Sequence, residues 1–155
     1  MPQLAKGGKY VFGWSKINPD LTIQLPPMAV DEYSISSENR VYLISGSKST
    51  GGFCVTRKGL LYPSKIGNIL SDTPALCAYR LAEGELIPYK GRRYCWLSIS
   101  QKGILQFTDD IINSLSFCGI EKLLAIRSSD IAFTMGAKGP LVEFAARFSG
   151  VIDVF

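Results

Sequence analysis

The chain has 155 residues, of which 46% are hydrophobic and 19% are charged, so it is long enough for a compact domain and too apolar to be disordered. Its formal net charge of +4 permits a polyanionic partner without requiring one. No lysine- or arginine-rich tract occurs, and Arg92-Arg93 is the densest basic pair. The 15 glycines and 8 prolines separate short apolar runs, which indicates many short strands joined by turns.

The residue types argue against the commonest metal and catalytic sites. The chain has no histidine, and its four cysteines are scattered singly, without a Cys-x-x-Cys pair. We therefore expect no metal site and no cofactor, and we interpret the cysteines as reduced, buried thiols. A Ser or Cys nucleophile lacks a histidine base, and no spacing supplies a substitute, so we predict a protein that is not an enzyme and has no catalytic residues.

The ends of the chain and its apolar runs bear on its location. Residues 1–9 are too polar and too few for a signal peptide, and no apolar run approaches the length of a membrane span. We therefore predict a cytoplasmic protein with no membrane partner.

An internal repeat relates the two halves of the chain. Trp14 and Trp96 stand 82 positions apart. The same offset aligns five further identical pairs, namely Ile17 with Ile99, Gln24 with Gln106, Ser34 with Ser116, Ile44 with Ile126 and Ser47 with Ser129. A shift of two residues in the following loop then aligns Lys58-Gly59 with Lys138-Gly139. Paired tryptophans and a paired Lys-Gly within one apolar pattern favour duplication over chance.

The first copy begins with a predicted strand over residues 10–17, rich in aromatic side chains. The Pro-Asp turn at 18–20 leads to a second strand over 21–25, where apolar and polar residues alternate. A short helix over 28–33 follows, because Pro27 is tolerated in a first helical turn. The remaining elements predicted for this copy are strands 41–44 and 53–56, a helix 63–70 and a strand 75–81.

The second copy predicts the same series. Thr108 is a good N-cap for its first helix, and Asp109-Asp110 lie where the helix dipole favours negative charge. Its other predicted elements are strands 94–99, 104–107, 123–126, 131–135 and 151–155, and a helix 140–148.

The loop Gly46-Ser-Lys-Ser-Thr-Gly-Gly52 resembles a phosphate-binding loop only superficially. In the nucleotide-binding motif the second glycine is followed by Lys and Ser or Thr, whereas here Gly51 is followed by Gly52. We interpret this segment as the tip of a hairpin.

The order of elements resembles the AbrB/SpoVT swapped-hairpin family, in which a Gly-Arg-φ-x-φ-Pro segment precedes a short helix and a Gly-Asp turn precedes the third strand. The first copy matches at 21–26 (Leu-Thr-Ile-Gln-Leu-Pro), 29–35 (Ala-Val-Asp-Glu-Tyr-Ser-Ile) and 39–43 (Asn-Arg-Val-Tyr-Leu). The second matches at 103–107 (Gly-Ile-Leu-Gln-Phe) and 117–123 (Phe-Cys-Gly-Ile-Glu-Lys-Leu). The resemblance is one of pattern and covers about half of each copy.

This resemblance implies a mostly-β fold with short helices. Family members are homodimers whose hairpins interleave, so the two tandem ββαββ-type units, 1–81 and 82–155, are expected to form an intrachain pseudo-dimeric swapped-hairpin β-barrel with one shared core. A single unit would leave its apolar face and strand edges exposed. The function implied is that of a DNA-binding transcriptional regulator.

The candidate DNA-binding residues are six cations: Lys16, Lys48, Lys90, Arg92, Arg93 and Lys102. Lysine and arginine on one face displace the counterions of DNA. The family's arginine after the turn is replaced by Thr22 and Ile104, so a second function stays open. It is a protein-interaction or oligomerisation module without DNA binding, antitoxin-like, whose partner is another protein or a further copy of the chain.

Overall fold

The computed structural model describes residues 10–148 and 150–155. The segment 1–9, for which we predict no signal peptide, lies outside these residues. The described chain is mostly β. Its strands are β1 (Val11–Lys16), β2 (Thr22–Gln24), β3 (Arg40–Ser45), β4 (Phe53–Thr56), β5 (Ile87–Tyr89), β6 (Arg92–Ser98), β7 (Ile104–Gln106), β8 (Lys122–Arg127) and β9 (Phe133–Gly136). Its helices are α1 (Pro27–Tyr33), α2 (Lys58–Leu61), α3 (Asn68–Asp72), α4 (Pro74–Cys77), α5 (Asp109–Ser114) and α6 (Pro140–Ala146).

Strands from the two halves of the chain pair with each other. A seven-stranded antiparallel sheet has the order β1-β8-β9-β4-β3-β6-β5, and β2 pairs with β7 in a separate ribbon. β1 therefore pairs with β8 of the second half, and its repeat equivalent β6 pairs with β3 of the first half, the repeat equivalent of β8. β3 and β8 have bounds 82 residues apart, and β4 and β9 have bounds 80 apart, which are the offsets read from the sequence.

The predicted closed barrel is not formed, because the sheet is open and ends at β1 and β5. The outer edge of β1 is covered by the C-terminal segment: Trp14 donates its N–H to the Asp153 carbonyl at 2.8 Å, and Phe155 donates to the Trp14 carbonyl at 2.8 Å. β5, which we did not predict, covers the outer edge of β6. Edges that are already covered in this way do not need to meet each other.

The strand predictions for the repeated parts are confirmed to within two residues, and 53–56 matches in full. The helix predicted at 28–33 is α1. The predicted N-cap of α5 is also confirmed, since the Thr108 hydroxyl accepts a hydrogen bond from the Ile111 N–H at 3.3 Å.

The segment after β4 differs from the prediction. The helix at 63–70 and the strand at 75–81 are wrong, because the one-turn helices α3 and α4 lie in this part of the chain, after a further one-turn helix, α2. Pro74 begins α4, a position that proline favours. Position 67 has no room for a side chain, since a Cβ on Gly67 would lie 2.3 Å from the Tyr62 carbonyl oxygen. The strand predicted at 151–155 is reduced to one parallel bridge between Val154 and Trp14.

The largest core cluster draws side chains from both halves and is rich in phenylalanine. Phe53 of the first half packs against Phe107 and Phe117 of the second, with ring centroids 5.2 and 5.6 Å apart. Aromatic contacts of this kind stabilise a core beyond simple area burial. Among the described helices, none is both long and apolar enough to cross a membrane.

Candidate anion-binding site

The six predicted cations are all exposed but lie in different parts of the structure. Lys102 lies in the turn that follows β6, whereas Arg92 and Arg93 lie at the start of the same strand. A strand of that length spans roughly 20 Å. Lys48, in the β3–β4 loop, and Lys90, in the β5–β6 turn, lie at the Arg93 end. The structure therefore does not gather all six cations on one surface.

Lys16 and Lys102 are also separated from each other. Gln106 of the β2–β7 ribbon donates to the Asp20 carbonyl, at 2.8 Å, in the turn that follows Lys16. Gln24, at the other end of the ribbon, donates to the Lys102 carbonyl at 2.6 Å. The two hairpin turns thus lie at opposite ends of the ribbon.

A cavity of about 350 Å³ lies at the Arg93 end of the sheet, between the β3–β4 loop, the start of β6 and the end of α5. No acidic residue among the described ones lines it. Its wall combines cationic side chains with serines, namely Lys48, Arg93, Lys138, Ser45, Ser47, Ser114 and Ser116. We call this cavity the basic corner. It brings together two of the predicted residues, Lys48 and Arg93.

Glycines shape the loop that carries Lys48. Gly46 donates its N–H to the Gly52 carbonyl at 3.0 Å and closes the loop. Gly51 and Gly52 have φ of +61° and +66°, a left-handed conformation that glycine adopts without steric cost. A Cβ on Gly52 would also lie 2.0 Å from the Met135 carbonyl oxygen. The interpretation of 46–52 as a hairpin tip is therefore confirmed.

Backbone contacts from the second half hold this loop in place. Gly52 donates its N–H to the Leu115 carbonyl at 2.9 Å, and Lys138 donates its N–H to the Thr50 carbonyl at 3.0 Å. These bonds tie the loop to the end of α5 and to the segment after β9. The basic corner is consequently built at the junction of the two halves.

The two arginines at the start of β6 have different surroundings. Arg92 donates a guanidinium N–H to the Ser45 carbonyl at 2.7 Å, so its charge is used to hold the end of β3. The Arg93 backbone N–H donates to the Ser45 hydroxyl at 2.9 Å, whereas the Arg93 side chain lines the cavity. Adjacent residues of a strand point to opposite faces, which accounts for this division.

The charge of the basic corner is not neutralised by protein carboxylates. Over residues 10–148 and 150–155, the ion pairs are Arg57–Glu38 and Arg127–Glu32, and none of the three cations of the corner takes part. Arg93 also lines a neighbouring cavity of about 220 Å³ beside Asp110, without an ion pair. Cations together with hydroxyl donors form the charge-assisted hydrogen bonds that suit an oxyanion.

Sequence reasoning missed five residues of this site, Lys138 and the serines at 45, 47, 114 and 116. Lys138 served only as a marker of the repeat, and Ser114 was not considered. A signal for Ser114 was present, because the repeat offset places Glu32 at the equivalent position of the first half. A carboxylate in one copy and a small hydroxyl in the other means that the two copies differ in charge at this position.

Of the four cysteines that we predict to be buried, Cys95 is fully buried, Cys54 and Cys77 are half-buried, and Cys118 is exposed, so the prediction is wrong for Cys118. Burial raises the pKa of the Cys95 thiol to about 12, and burial also raises the pKa of the Cys54 thiol. Both are protonated at neutral pH and are therefore poor nucleophiles and poor metal ligands. In the described ranges, no cluster of three His, Cys, Asp or Glu side chains is arranged to hold a metal ion.

No protein-family model matches this chain, and no curated protein matches it.

Proposed function

We propose that this chain is a DNA-binding protein of swapped-hairpin architecture, in which the two halves of one polypeptide take the place of the two subunits of an AbrB/SpoVT-like dimer. The crossed pairing of β1 with β8 and of β6 with β3 supports this proposal. So does the pairing of β2 with its equivalent β7, and of β4 with its equivalent β9. Covalent linkage of the two units replaces association of two chains by a high effective concentration.

The observation that carries the DNA-binding proposal is the convergence of Lys48, Arg93 and Lys138 on one cavity without a carboxylate in its wall. Cations free of internal ion pairs keep their charge for phosphate groups and release counterions when they bind DNA. Lys90 and Arg92, exposed at the same end of β6, extend the basic surface.

The mode of contact differs from that of the family pattern. Thr22 and Ile104 stand where the family carries its arginine, and the short helices begin or continue with acidic residues such as Asp31 and Asp109. Contacts through the basic corner reach phosphates, which position a protein on DNA without reading its sequence. We therefore propose binding with little sequence preference.

Fluorescence anisotropy of a labelled random-sequence duplex tests this function. The wild-type protein is expected to bind with a Kd of about 1–100 µM at physiological salt, the range of non-specific complexes, and more tightly at low salt. A triple variant Lys48→Gln, Arg93→Gln, Lys138→Gln is expected to lose this binding. The matched control, Lys102→Gln, removes a cation in the turn at the far end of β6 and is expected to retain most of it. Equal loss in both variants would contradict a contact surface at the basic corner.

A second candidate function is a protein-interaction module. Phe144 on α6 is 50% exposed, and Val151 and Val154 in the C-terminal segment are 85% and 54% exposed. Exposed apolar side chains of this kind are available for contact with another protein. Sedimentation velocity over a hundredfold range of protein concentration discriminates, because self-association through these residues predicts an oligomer that Phe144→Ser with Val154→Ser dissociates.

A further inference from the structure

The repeat provides an internal comparison for the basic corner. Ser45 and Arg127 are the last residues of the equivalent strands β3 and β8. Ser114 and Glu32 stand at equivalent positions of α5 and α1. Of these four residues, Arg127 and Glu32 form an ion pair, in which Arg127 donates to the Glu32 carboxylate through Nε at 2.7 Å and through Nη2. We call this place the Arg127 corner.

The loops beside the two corners are also held in related ways. In the Arg127 corner, the Tyr33 hydroxyl at the end of α1 donates to the Ser129 carbonyl of the β8–β9 loop at 2.6 Å. In the basic corner, Gly52 of the β3–β4 loop donates to the Leu115 carbonyl at the end of α5. Each loop therefore contacts the helix of the other half, and the two corners are comparable in position.

The corners differ in one chemical respect. A carboxylate supplied by the protein occupies the Arg127 corner, whereas serines replace both members of that ion pair in the basic corner. The basic corner nevertheless has three cations in its wall, Lys48, Arg93 and Lys138. It therefore has the charge to hold an anion and lacks the internal group that fills its counterpart.

We infer that the basic corner is a binding site for one phosphoryl group of a small phosphorylated ligand. Its volume of about 350 Å³ lies at the small end of the range for small-molecule sites, so a phosphate with a short organic group fits. A guanidinium binds two oxygens of such a group, lysines act as point charges, and serine hydroxyls donate to the remaining oxygens.

This inference goes beyond the proposed function because it names a ligand. It rests on the proposed function in one respect, the effect of that ligand on DNA binding. A phosphoryl group in the cavity neutralises the cations that we assign to DNA contact. The ligand is therefore expected to compete with DNA, so that its concentration sets how much DNA is bound.

The test uses inorganic phosphate and phenyl phosphate as monoester-type probes and dimethyl phosphate as a diester probe. Each is titrated into the whole protein by isothermal calorimetry, with chloride adjusted to keep the ionic strength constant. Saturable binding of inorganic phosphate and of phenyl phosphate at one site per chain is expected. Preference for the diester would assign the pocket to a DNA backbone phosphate and overturn the small-ligand proposal.

Matched variants locate the site. Ser114→Glu places a carboxylate at the position that Glu32 holds in the other half, and it is expected to weaken phosphate binding by at least about tenfold, a free-energy cost of about 1.4 kcal/mol. Ser114→Gln has nearly the same size without the charge and is expected to stay within about threefold of wild type, as is Lys102→Gln at the distant turn. Arg93→Gln is expected to weaken binding as Ser114→Glu does.

Circular dichroism of each variant checks that it is folded. Absence of saturable phosphate binding to the folded wild-type protein would overturn the inference, and so would equal binding by Ser114→Glu and Ser114→Gln. The anisotropy assay with DNA is run separately and without phosphate. DNA binding that persists when phosphate binding fails removes the ligand site alone, whereas phosphate binding without DNA binding removes the proposed function alone.

Discussion

Arg127 and Glu32 form a two-point ion pair between the last residue of β8 and α1, and the equivalent residues in the other half, Ser45 and Ser114, line an open cavity. The two copies thus keep one geometry and differ in charge at one pair of positions. A duplication within a single chain permits this difference, because the two copies mutate independently, whereas both subunits of a homodimer change together.

The first prediction concerns the ion pair. Glu32→Ser places in the Arg127 corner the residue found at position 114, but the stoichiometry of phosphate binding is expected to stay at one, because Val11, an apolar residue, stands at the position equivalent to Arg93. Both side chains of the pair are more than a third exposed, so the free energy of unfolding is expected to fall by less than about 1 kcal/mol. Calorimetric stoichiometry and urea denaturation measure the two effects. Glu38→Ser, which removes the carboxylate of the Arg57 ion pair, is the control for stability, and a second phosphate site in the Glu32→Ser variant would contradict the need for the three cations of the basic corner.

The second prediction concerns two glycines with similar backbone conformations. Gly52 and Gly91 have φ of +66° and +82°, and a Cβ would lie 2.0 Å from the Met135 carbonyl oxygen at the first and in open space at the second. Gly91→Ala is expected to cost about 1–2 kcal/mol of stability from the left-handed backbone alone, and Gly52→Ala more, because the sheet must also shift. Thermal denaturation of the two variants checks the order, and equal melting temperatures would show that the loop is not confined by β9.

The third prediction separates the two tryptophans of the repeat. Trp14 is only 4% exposed, with the Lys122 ammonium 4.3 Å from its ring centroid, so Trp14→Ala is expected to destabilise by about 3–5 kcal/mol. Trp96 is partly exposed, and its indole N–H donates to the Leu81 carbonyl at 2.9 Å. Trp96→Ala is expected to cost about 1–3 kcal/mol, because it removes this hydrogen bond but less buried apolar surface than Trp14→Ala does. Urea midpoints compare them, and a larger loss for Trp96→Ala would contradict this placement.

The fourth prediction is a loss of stability at alkaline pH. Burial raises the pKa of Cys95 from 9.0 to about 12 and the pKa of Tyr33 from 10.0 to about 12. A raised pKa means that the unfolded chain loses these protons first, so the contribution to stability is complete below pH 9 and is lost as the pH rises from about 9 to about 12. Urea denaturation at several pH values measures the fall. Cys95→Ala is expected to flatten it, and a free energy of unfolding that stays constant to pH 11 would contradict the burial of both groups.

Local signals predicted the repeated elements well. The alternating residues of β2, the proline before α1 and the Thr108 N-cap of α5 act within a few residues of each other, so the sequence states them directly. Predictions failed where long-range contacts decide the structure. The run 75–81 is apolar enough for a strand, yet Leu76 is buried against a small second cluster and the chain folds into α4. The predicted barrel is wrong because β5 and the C-terminal segment cover the outer strands β6 and β1 and leave the sheet open.

The site was predictable in part. Lys48 and Arg93 were found from charge alone, but nothing local shows that a loop of the first half meets a strand and a helix of the second. Lys138 joins them because its backbone bonds to Thr50, 88 residues earlier in the chain. Lys16 and Lys102 occupy equivalent turns of the two copies, and the antiparallel pairing of β2 with β7 keeps those turns apart.

The salt dependence of DNA affinity tests the proposed function most directly. Three phosphate contacts by Lys48, Arg93 and Lys138 predict a slope of about −2.7 for the logarithm of the association constant against the logarithm of salt concentration, whereas the triple Gln variant is expected to bind too weakly at every salt concentration for a slope to be measured. Between 50 and 200 mM salt, this corresponds to a fall of about 40-fold for the wild-type protein. A slope that the triple variant leaves unchanged, or no binding by the wild-type protein at low salt, would contradict DNA binding through the basic corner.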